Sequence, residues 1–269
     1  MHLQELGEGG SELVLLHGFL ASSAIWEPML EGLSPFGRVI AVDMPGSGYS
    51  HRPTDVSYTL PWLADFVVSL MDELGLQDPI VGGHSLGGAV AMHAAYRHAK
   101  KIRGLVLVSP FVYAPPPPPG LRLAKILPGP MRAFFRSRLG RLFISGMVRR
   151  AVYSSGRKQE LVHQSTRRLL QHLDADGGWE AATKIGLQAH DYSPGIDMIK
   201  KISQPSLVVW GGADKAHDVK IAKDLVRDLA GPSELVVFED AAHNCHEEEP
   251  ERFCDIVHGW MQRIKGDSK

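Results

Sequence analysis

Short runs of apolar residues recur along the chain, each about four or five residues long and without alternation of polar and apolar positions. Such runs are typical of strands that are covered on both faces, as in a parallel sheet. The pattern predicts six strands, at Leu13–Leu16, Val39–Val42, Asp78–Gly82, Gly104–Val108, Ser206–Trp210 and Leu235–Phe238.

Helical patterns separate these strands. The segment Leu60–Leu74 carries apolar side chains at Leu63, Val67 and Leu70, which lie on one face of a helix. Three further segments fit a helix, namely Gly87–His98, Ile221–Leu229 and Glu248–Ile264. Because strands and helices alternate, we expect an α/β fold with a mostly parallel, doubly wound sheet and right-handed crossovers.

The alternation fails between Val112 and Ala189, where no strand is predicted. This stretch opens with the five prolines Pro115–Pro119, which favour an extended polyproline II exit from the sheet. Segments that mix apolar and basic residues follow from Met131 onward. We therefore interpret residues 112–189 as an inserted, mainly helical cap, and residues 1–111 and 190–269 as the core.

Composition indicates an ordinary soluble protein. Of 269 residues, 44% are hydrophobic and 22% charged, and the formal net charge of −1 gives no argument for nucleic-acid binding. No apolar run approaches the roughly 18 residues that span a bilayer. The first residues lack the pattern of a signal peptide, and two cysteines, Cys245 and Cys254, do not form a disulfide framework. We expect a cytoplasmic protein.

The motif G-x-S-x-G occurs at Gly83-His84-Ser85-Leu86-Gly87, between a predicted strand and a helix rich in small residues. This is the setting of a nucleophile elbow, in which the serine occupies a sharp and strained turn. Side chains two residues before and after the serine would collide with neighbouring backbone there. Ser85 is therefore the predicted nucleophile, although a chance glycine-rich turn would carry the same letters.

An acid and a base follow two later strands. Asp214 lies after the strand that ends at Trp210, and His243 is the first histidine after the last strand. A carboxylate in this position holds an imidazole in the correct tautomer and stabilises it when it becomes charged. Asp218 is a competing acid, and His246 is the alternative base.

Backbone amides for an oxyanion are expected near His17-Gly18-Phe19, which follows the first predicted strand. Acyl transfer turns the attacked carbonyl oxygen into an anion, and each preorganised donor contributes about 3 kcal/mol. We assign this role to the amides of Phe19 and Leu86.

Three neighbouring features are interpreted as structural. The loop Asp43–Ser50 holds one proline and two glycines and is predicted to be a tight turn. The acidic run Glu247–Glu249 precedes a helix, where negative charge is favourable against the helix dipole. Cys245 lies beside the predicted base, but we do not expect it to be a reactive thiol.

The segments HGF, DMPGSGYS, GGHSLGG, WGGAD and AAHNCHEEEP resemble, in this order, the successive signatures of the α/β-hydrolase superfamily. The resemblance covers about residues 11–111 and 195–264. Within this superfamily, a serine at the position of Ser85 is similar to the esterase, lipase and thioesterase branches. The resemblance implies hydrolysis of a carboxylic ester through an acyl-enzyme, and the apolar segments of the predicted cap suggest a hydrophobic acyl group. The alternatives are thioester or carbon–carbon hydrolysis, perhydrolysis, or a docking protein without activity. No metal-ligand spacing and no cofactor motif is found.

The predicted cap is basic. No Asp or Glu occurs between Asp78 and Glu160. Ten cationic residues lie within residues 120–158, namely Arg122, Lys125, Arg132, Arg136, Arg138, Arg141, Arg149, Arg150, Arg157 and Lys158. Basic amphipathic helices suit an anionic membrane surface or an acidic carrier protein. The alternative is a cap whose basic side chains are simply solvated.

Overall fold

The computed structural model describes residues 1–114, 116–117, 119–154 and 159–266. Six strands form one sheet: β1 (Leu3–Leu16), β2 (Gly37–Val42), β3 (Ile80–His84), β4 (Gly104–Val108), β5 (Ser206–Gly211) and β6 (Ser233–Phe238). Their order is β2–β1–β3–β4–β5–β6, and from β1 to β6 all neighbours are parallel. The predicted mostly parallel α/β sheet is therefore confirmed.

The first strand departs most from the prediction, because it begins ten residues before Leu13. Leu6 and Leu13 both pair with Val39, so the two halves of β1 lie on opposite sides of β2. The partners of Leu3–Leu6 run backwards along β2, whereas those of Glu12–Leu16 run forwards. Positive φ angles occur between the halves at Gly7, Gly9 and Gly10. The leading half is thus a short antiparallel edge.

The helices of the described chain flank this sheet or lie in the predicted cap. In chain order they are α1 (Glu27–Leu33), α2 (Leu60–Glu73), α3 (Leu86–Arg97), α4 (Pro119–Ile126), α5 (Pro128–Arg136), α6 (Arg138–Ala151), α7 (Gln159–Asp174), α8 (Gly178–Asp191), α9 (Ile196–Ile199), α10 (Lys220–Asp228), α11 (Cys245–Glu248) and α12 (Pro250–Gly266). Helix α1 was not predicted.

The predicted helix Glu248–Ile264 begins at the wrong residue. The structure has a single turn, α11, followed by a separate helix that starts at Pro250. Between them Glu249 leaves the helical region, with φ of −134° and ψ of 64°. A residue before proline is disfavoured in the helical conformation, so Pro250 starts a new helix.

Alternate residues of β1 pack on opposite faces of the sheet. Val14 and Leu16 belong to the core under α2 and α3, whereas Leu13 and Leu15 belong to the core under α1 and α12. The second core also holds the large aromatic side chains Trp26, Phe253 and Trp260. The sheet is therefore covered on both faces, which explains the unbroken apolar runs of its central strands.

Helices α4 to α8 lie between β4 and β5, in the region of the predicted cap, and α8 ends at Asp191, two residues beyond the predicted boundary. The boundaries of the cap remain a prediction. Pro119 begins α4, so the proline run is not extended to its last residue, while Pro115 and Pro118 lie outside the described residues. So do Arg157 and Lys158. The cap has a small core of its own, formed by Ile144, Val148, Tyr153, Val162 and Leu169.

Candidate active site

Ser85 stands at the turn between β3 and α3, with φ of 50° and ψ of −113°. Residues with a side chain rarely adopt a positive φ, so the backbone is strained here. Two glycines permit the turn. A Cβ on Gly83 would lie 2.3 Å from the carbonyl carbon of Gly87, and a Cβ on Gly87 would lie 2.3 Å from the carbonyl oxygen of Leu16. The turn presents Ser85 at the carboxyl edge of the sheet, where it lines a cavity.

Asp214 and His243 meet across the loops that follow β5 and β6. His243 Nδ1 lies 2.8 Å from Asp214 Oδ2, and both side chains are buried. The other carboxylate oxygen of Asp214 accepts hydrogen bonds from the amides of Ala216 and His217, at 2.8 and 2.9 Å. With Nδ1–H donated to the carboxylate, His243 Nε2 is left as the proton acceptor.

The competing candidates, Asp218 and His246, have other contacts. Asp218 is exposed, and its Oδ1 accepts a hydrogen bond from the amide of Lys220 at the start of α10. His246 is fully buried, with its ring centroid 4.6 Å from that of Trp26. Burial lowers the pKa of His246 to about 3, with a smaller contribution from His243. His246 is therefore a neutral packing residue.

His84 connects the elbow to the loop of His243. Its Nε2 lies 3.2 Å from the carbonyl oxygen of His243, and the two ring centroids are 4.7 Å apart. Burial, followed by the charges of His243 and His246, holds the pKa of His84 well below its usual range. His84 is thus a neutral donor that links the turn of Ser85 to the loop of His243. The sequence analysis missed this role, although His84 lies within the motif.

The predicted oxyanion loop is held by His17. Its Nδ1 lies 2.8 Å from the carbonyl oxygen of Gly18, and its Nε2 accepts a hydrogen bond from the amide of Met44 at 3.1 Å. Burial lowers the pKa of His17, which keeps this ring neutral. A Cβ on Gly18 would lie 2.7 Å from His84 Nδ1 and 3.4 Å from the Cβ of Ser85. The backbone that leads to Phe19 therefore passes directly beside Ser85.

Leu86 is the first residue of α3, directly after Ser85. The first amides of a helix have no partner within the helix, and the dipole places partial positive charge at this end. The amides of Phe19 and Leu86 thus belong to residues that both line the cavity beside Ser85.

Asp43 stabilises the loop that follows β2. Its Oδ1 accepts a hydrogen bond from the amide of Ser23 at 2.6 Å, and its Oδ2 accepts one from the amide of Tyr49 at 2.8 Å. His2 Nδ1 also lies 2.9 Å from Oδ2. A Cβ on Gly48 would lie 2.1 Å from the same oxygen. Asp43 thus has a structural role, in agreement with the sequence analysis.

A cavity of about 550 Å³ lies between the core and the cap and reaches Ser85. Its floor includes Phe19 and Leu86, and its walls come from the cap. The cap residues that line it are almost all apolar, and they include Leu121, Met131, Phe135, Ile144, Leu169 and Trp179. The arrangement suits an apolar group of the substrate, which would lie beside the serine.

A set of hydrogen bonds, which we name the clasp, joins the cap to the loop of His243. The clasp consists of Tyr153, Ser154 and Arg168 from the cap and of Asn244, Glu247 and Glu248, which follow His243; the two glutamates lie on α11. Tyr153 donates its hydroxyl to Glu247 Oε2 at 2.7 Å, and Arg168 donates to Glu247 Oε1 at 2.9 Å. The hydroxyl of Ser154 donates to Glu248 Oε2.

Both carboxylates of the clasp also hold their own loop. Asn244 donates to Glu247 Oε2 at 2.6 Å, and the amide of Ala242 donates to Glu248 Oε1 at 2.7 Å. Glu247 and Glu248 are only 3% and 5% exposed. The helix-dipole account given to Glu247–Glu249 in the sequence analysis is therefore too simple, because two of these side chains turn inward and fix the segment that carries His243.

Cys245 is fully buried. Burial raises the pKa of its thiol, and the negative charges of Asp214 and Glu248 raise it further. A thiol reacts as its thiolate, so this environment makes Cys245 inert, as the sequence analysis expected.

His217 is a second residue that the sequence analysis missed. Its ring lies edge-on to His243 with a centroid separation of 4.8 Å, and its Nδ1 is 3.4 Å from the carbonyl oxygen of Ser109. Burial, with a smaller effect of His243, lowers the pKa of His217 to about 4. The only signal in the sequence was its position, three residues after Asp214.

Residues 13–250 match the family model described as the alpha/beta hydrolase fold. The chain therefore belongs to the α/β-hydrolase family, and the resemblance of its sequence signatures to that family is confirmed. Among the described residues, no helix combines the length and the apolar character that crossing a bilayer requires.

Several known proteins are similar to this one over almost the whole chain. The pimeloyl-[acyl-carrier protein] methyl ester esterase of Aeromonas hydrophila subsp. hydrophila is 30% identical, over 92% of this chain and 94% of that protein. The protein of the same name from Vibrio vulnificus is 29% identical, over 94% of this chain and 95% of that protein. The structure of a thermophilic esterase from Thermogutta terrifontis superposes with a TM-score of 0.81 at 26% identity, covering 98% of this chain and 93% of that one.

Proposed function

We propose that the protein hydrolyses carboxylic esters through an acyl-enzyme on Ser85. The hydroxyl of Ser85 attacks the ester carbonyl while His243 Nε2 accepts its proton, and Asp214 stabilises the imidazolium that forms. His243 then protonates the leaving alcohol and later activates the water that releases the acid. The observation that supports this most directly is the 2.8 Å hydrogen bond between His243 Nδ1 and the buried carboxylate of Asp214.

The amides of Phe19 and Leu86 are proposed to hold the oxyanion. Gly18 permits the close approach of its loop to Ser85, and Leu86 supplies an amide at the N-terminus of α3. Donors of this kind, fixed before the reaction, stabilise the transition state more than the ground state.

The decisive experiment for the nucleophile is labelling with a fluorophosphonate probe, which reacts with activated serines. The wild-type protein is expected to be labelled and to release p-nitrophenol from p-nitrophenyl butyrate, whereas Ser85→Ala is expected to do neither. Ser69→Ala, at an exposed serine of α2, is the matched control and should behave as wild type. Equal labelling of the wild type and Ser85→Ala would remove the proposal.

The substrate is proposed to place its acyl chain in the cavity of about 550 Å³. A series of p-nitrophenyl esters from acetate to octanoate is expected to give a higher kcat/KM for the longer chains. A Cβ on Gly186 would lie 3.1 Å from both Leu121 and Phe19, so Gly186→Leu fills part of this space. That variant is expected to lower kcat/KM for octanoate more than for acetate. A strict preference of the wild type for acetate would exclude the long-chain substrate.

We further propose that the ester is delivered by an acidic carrier protein. The two esterases compared above are named for an ester on an acyl carrier protein. In the described chain, Asp174 pairs with Arg136 and Arg141, and Glu180 pairs with Arg132. No described carboxylate lies within 4.0 Å of the other described cationic residues on α4 to α6, which are exposed: Arg122, Lys125, Arg138, Arg149 and Arg150.

The carrier proposal is tested with one methyl ester in two forms, bound to an acyl carrier protein or free. Reversal of charge at Arg149 and Arg150 to glutamate is expected to lower kcat/KM for the carrier-bound ester, while the free ester is hydrolysed as before. Liposomes of neutral and anionic lipid provide the other arm. Sedimentation with anionic liposomes, together with equal rates on the carrier-bound ester, would favour a membrane surface instead.

A further inference from the structure

Three potential metal ligands converge beside the proposed active site. Asp214, His217 and His243 each offer one ligand atom, and these atoms all lie within 4.8 Å of one another. Asp214 and His217 come from the loop after β5, and His243 comes from the loop after β6. Two imidazoles and a carboxylate form a frequent ligand set for zinc, which leaves its fourth position to water.

The ligand distances bracket those of a tetrahedral ion. Zinc binds nitrogen and oxygen at about 2.0–2.1 Å, which places its ligand atoms about 3.3 Å apart. Asp214 Oδ2 and His243 Nδ1 are 2.8 Å apart and need only open slightly to admit an ion. The span of 4.8 Å requires a closure of about 1.5 Å, within the reach of a side-chain rotation.

His217 is the side chain suited to make this movement. Its contact with the carbonyl oxygen of Ser109 is 3.4 Å long and therefore weak. His217 is also partly exposed, whereas Asp214 and His243 are buried. Its backbone is fixed by the bond from its amide to Asp214, so the ring alone has to turn. Solvent therefore reaches the three ligands on the side of His217.

We infer that Asp214, His217 and His243 form an inhibitory site for a divalent transition metal of the zinc class. A bound ion takes His243 Nδ1 and Asp214 Oδ2 as ligands and so separates the imidazole from the carboxylate. Because a ligating nitrogen carries no proton, the proton of His243 lies on Nε2 instead, the nitrogen that would otherwise receive the proton of Ser85. His243 then cannot accept the proton of Ser85. The inhibition rests on the proposed function, but the binding of the metal does not.

Binding is measured on Ser85→Ala, so that no turnover is needed. Zinc chloride is titrated by calorimetry, and cobalt(II) by visible absorption, whose intensity reports tetrahedral coordination. One ion per chain is expected. Replacement of His217 by glutamine in this background is expected to weaken zinc binding at least about tenfold. His51→Gln, at an exposed histidine on another loop, is the matched control and should not change the affinity.

Inhibition is measured on the wild type with p-nitrophenyl butyrate, as the ratio of rates with zinc and with a chelator. As the zinc concentration rises, this ratio should fall below one in the wild type and in His51→Gln. It should stay near one in His217→Gln. Equal zinc affinity with and without the His217 side chain overturns the inference, as does the absence of binding. If zinc binds through His217 but the wild type hydrolyses no ester, the metal site stands and the proposed function fails.

Discussion

The core and the cap use their side chains in different ways. In the core, every residue of β3, β4 and β5 is buried. In the cap, α5 buries none of its residues and α6 buries only Gly140, Ile144 and Val148. Large apolar side chains such as Leu139 and Leu142 remain 71% and 61% exposed.

This difference separates two tasks. The chemistry proposed at Ser85 requires atoms held to a fraction of an ångström, which a close-packed core provides. Binding of the proposed acyl chain requires only an apolar wall, which the cap residues lining the cavity provide. The clasp is the place where the two regions meet, because it ties the cap to the loop that carries His243.

The strongest test of the comparison lies in the core. Asp214→Asn retains the shape of the side chain but favours the wrong tautomer of His243, so kcat should fall by about 10⁴. Asp218→Asn, four residues further along the same loop region, is the control and should keep the wild-type rate. The measurement is kcat on p-nitrophenyl butyrate. The reverse result, in which only Asp218→Asn is inactive, would assign the acid to the other residue.

The next effect concerns pH and the buried histidines. Burial lowers the pKa of His246 to about 3, so below pH 6.5 the unfolded chain binds a proton at this residue that the folded chain does not. Stability is therefore full above pH 6.5 and is lost as pH falls towards 3, by up to about 1.4 kcal/mol per pH unit. Urea unfolding at pH 7 and pH 5 measures this loss.

His246→Phe keeps an aromatic ring beside Trp26 and should make the dependence on pH shallower. His163→Phe, at an exposed histidine of α7 in the cap, should leave the slope unchanged. An unchanged slope in His246→Phe would show that the folded protein already takes up this proton.

A smaller effect is expected at the clasp. Tyr153→Phe removes the donor to Glu247 Oε2 and leaves Asn244 as the donor to that oxygen among the described side chains. The free energy of unfolding should fall by about 1–2 kcal/mol. Because Glu247 lies on α11, which directly follows the loop of His243, kcat should also fall several-fold. Tyr192→Phe, at an exposed tyrosine, is the control. Wild-type stability and kcat in Tyr153→Phe would show that the clasp does not connect the two regions.

The sequence predicted the central sheet well, because strands covered on both faces have a distinctive pattern. Except for the start of β1, each strand end lies within two residues of its predicted position. The leading half of β1 escaped prediction because Leu3–Leu6 forms an edge beside β2, without the long apolar run of a central strand. Ser85, Asp214 and His243 were proposed from motifs and order alone, and the structure brings Asp214 to His243.

What the sequence could not predict depends on contacts between distant residues. Nothing near Glu247 indicates that its partners are Tyr153 and Arg168, which lie 94 and 79 positions away. The role of His84 and the approach of His217 to His243 likewise depend on how three separate loops pack. Local patterns report burial and turns, but they do not report which loop a side chain will touch.

The clasp also bears on how this protein can be recombined with its relatives. A chimera that exchanges residues 112–189 as one block would carry Tyr153 and Arg168 away but leave Glu247 and Glu248 behind. These two buried carboxylates would then lack their hydrogen-bond donors from the cap, directly beside the loop that carries His243. An exchange of the cap that is meant to transfer substrate specificity therefore has to include Glu247 and Glu248 as well.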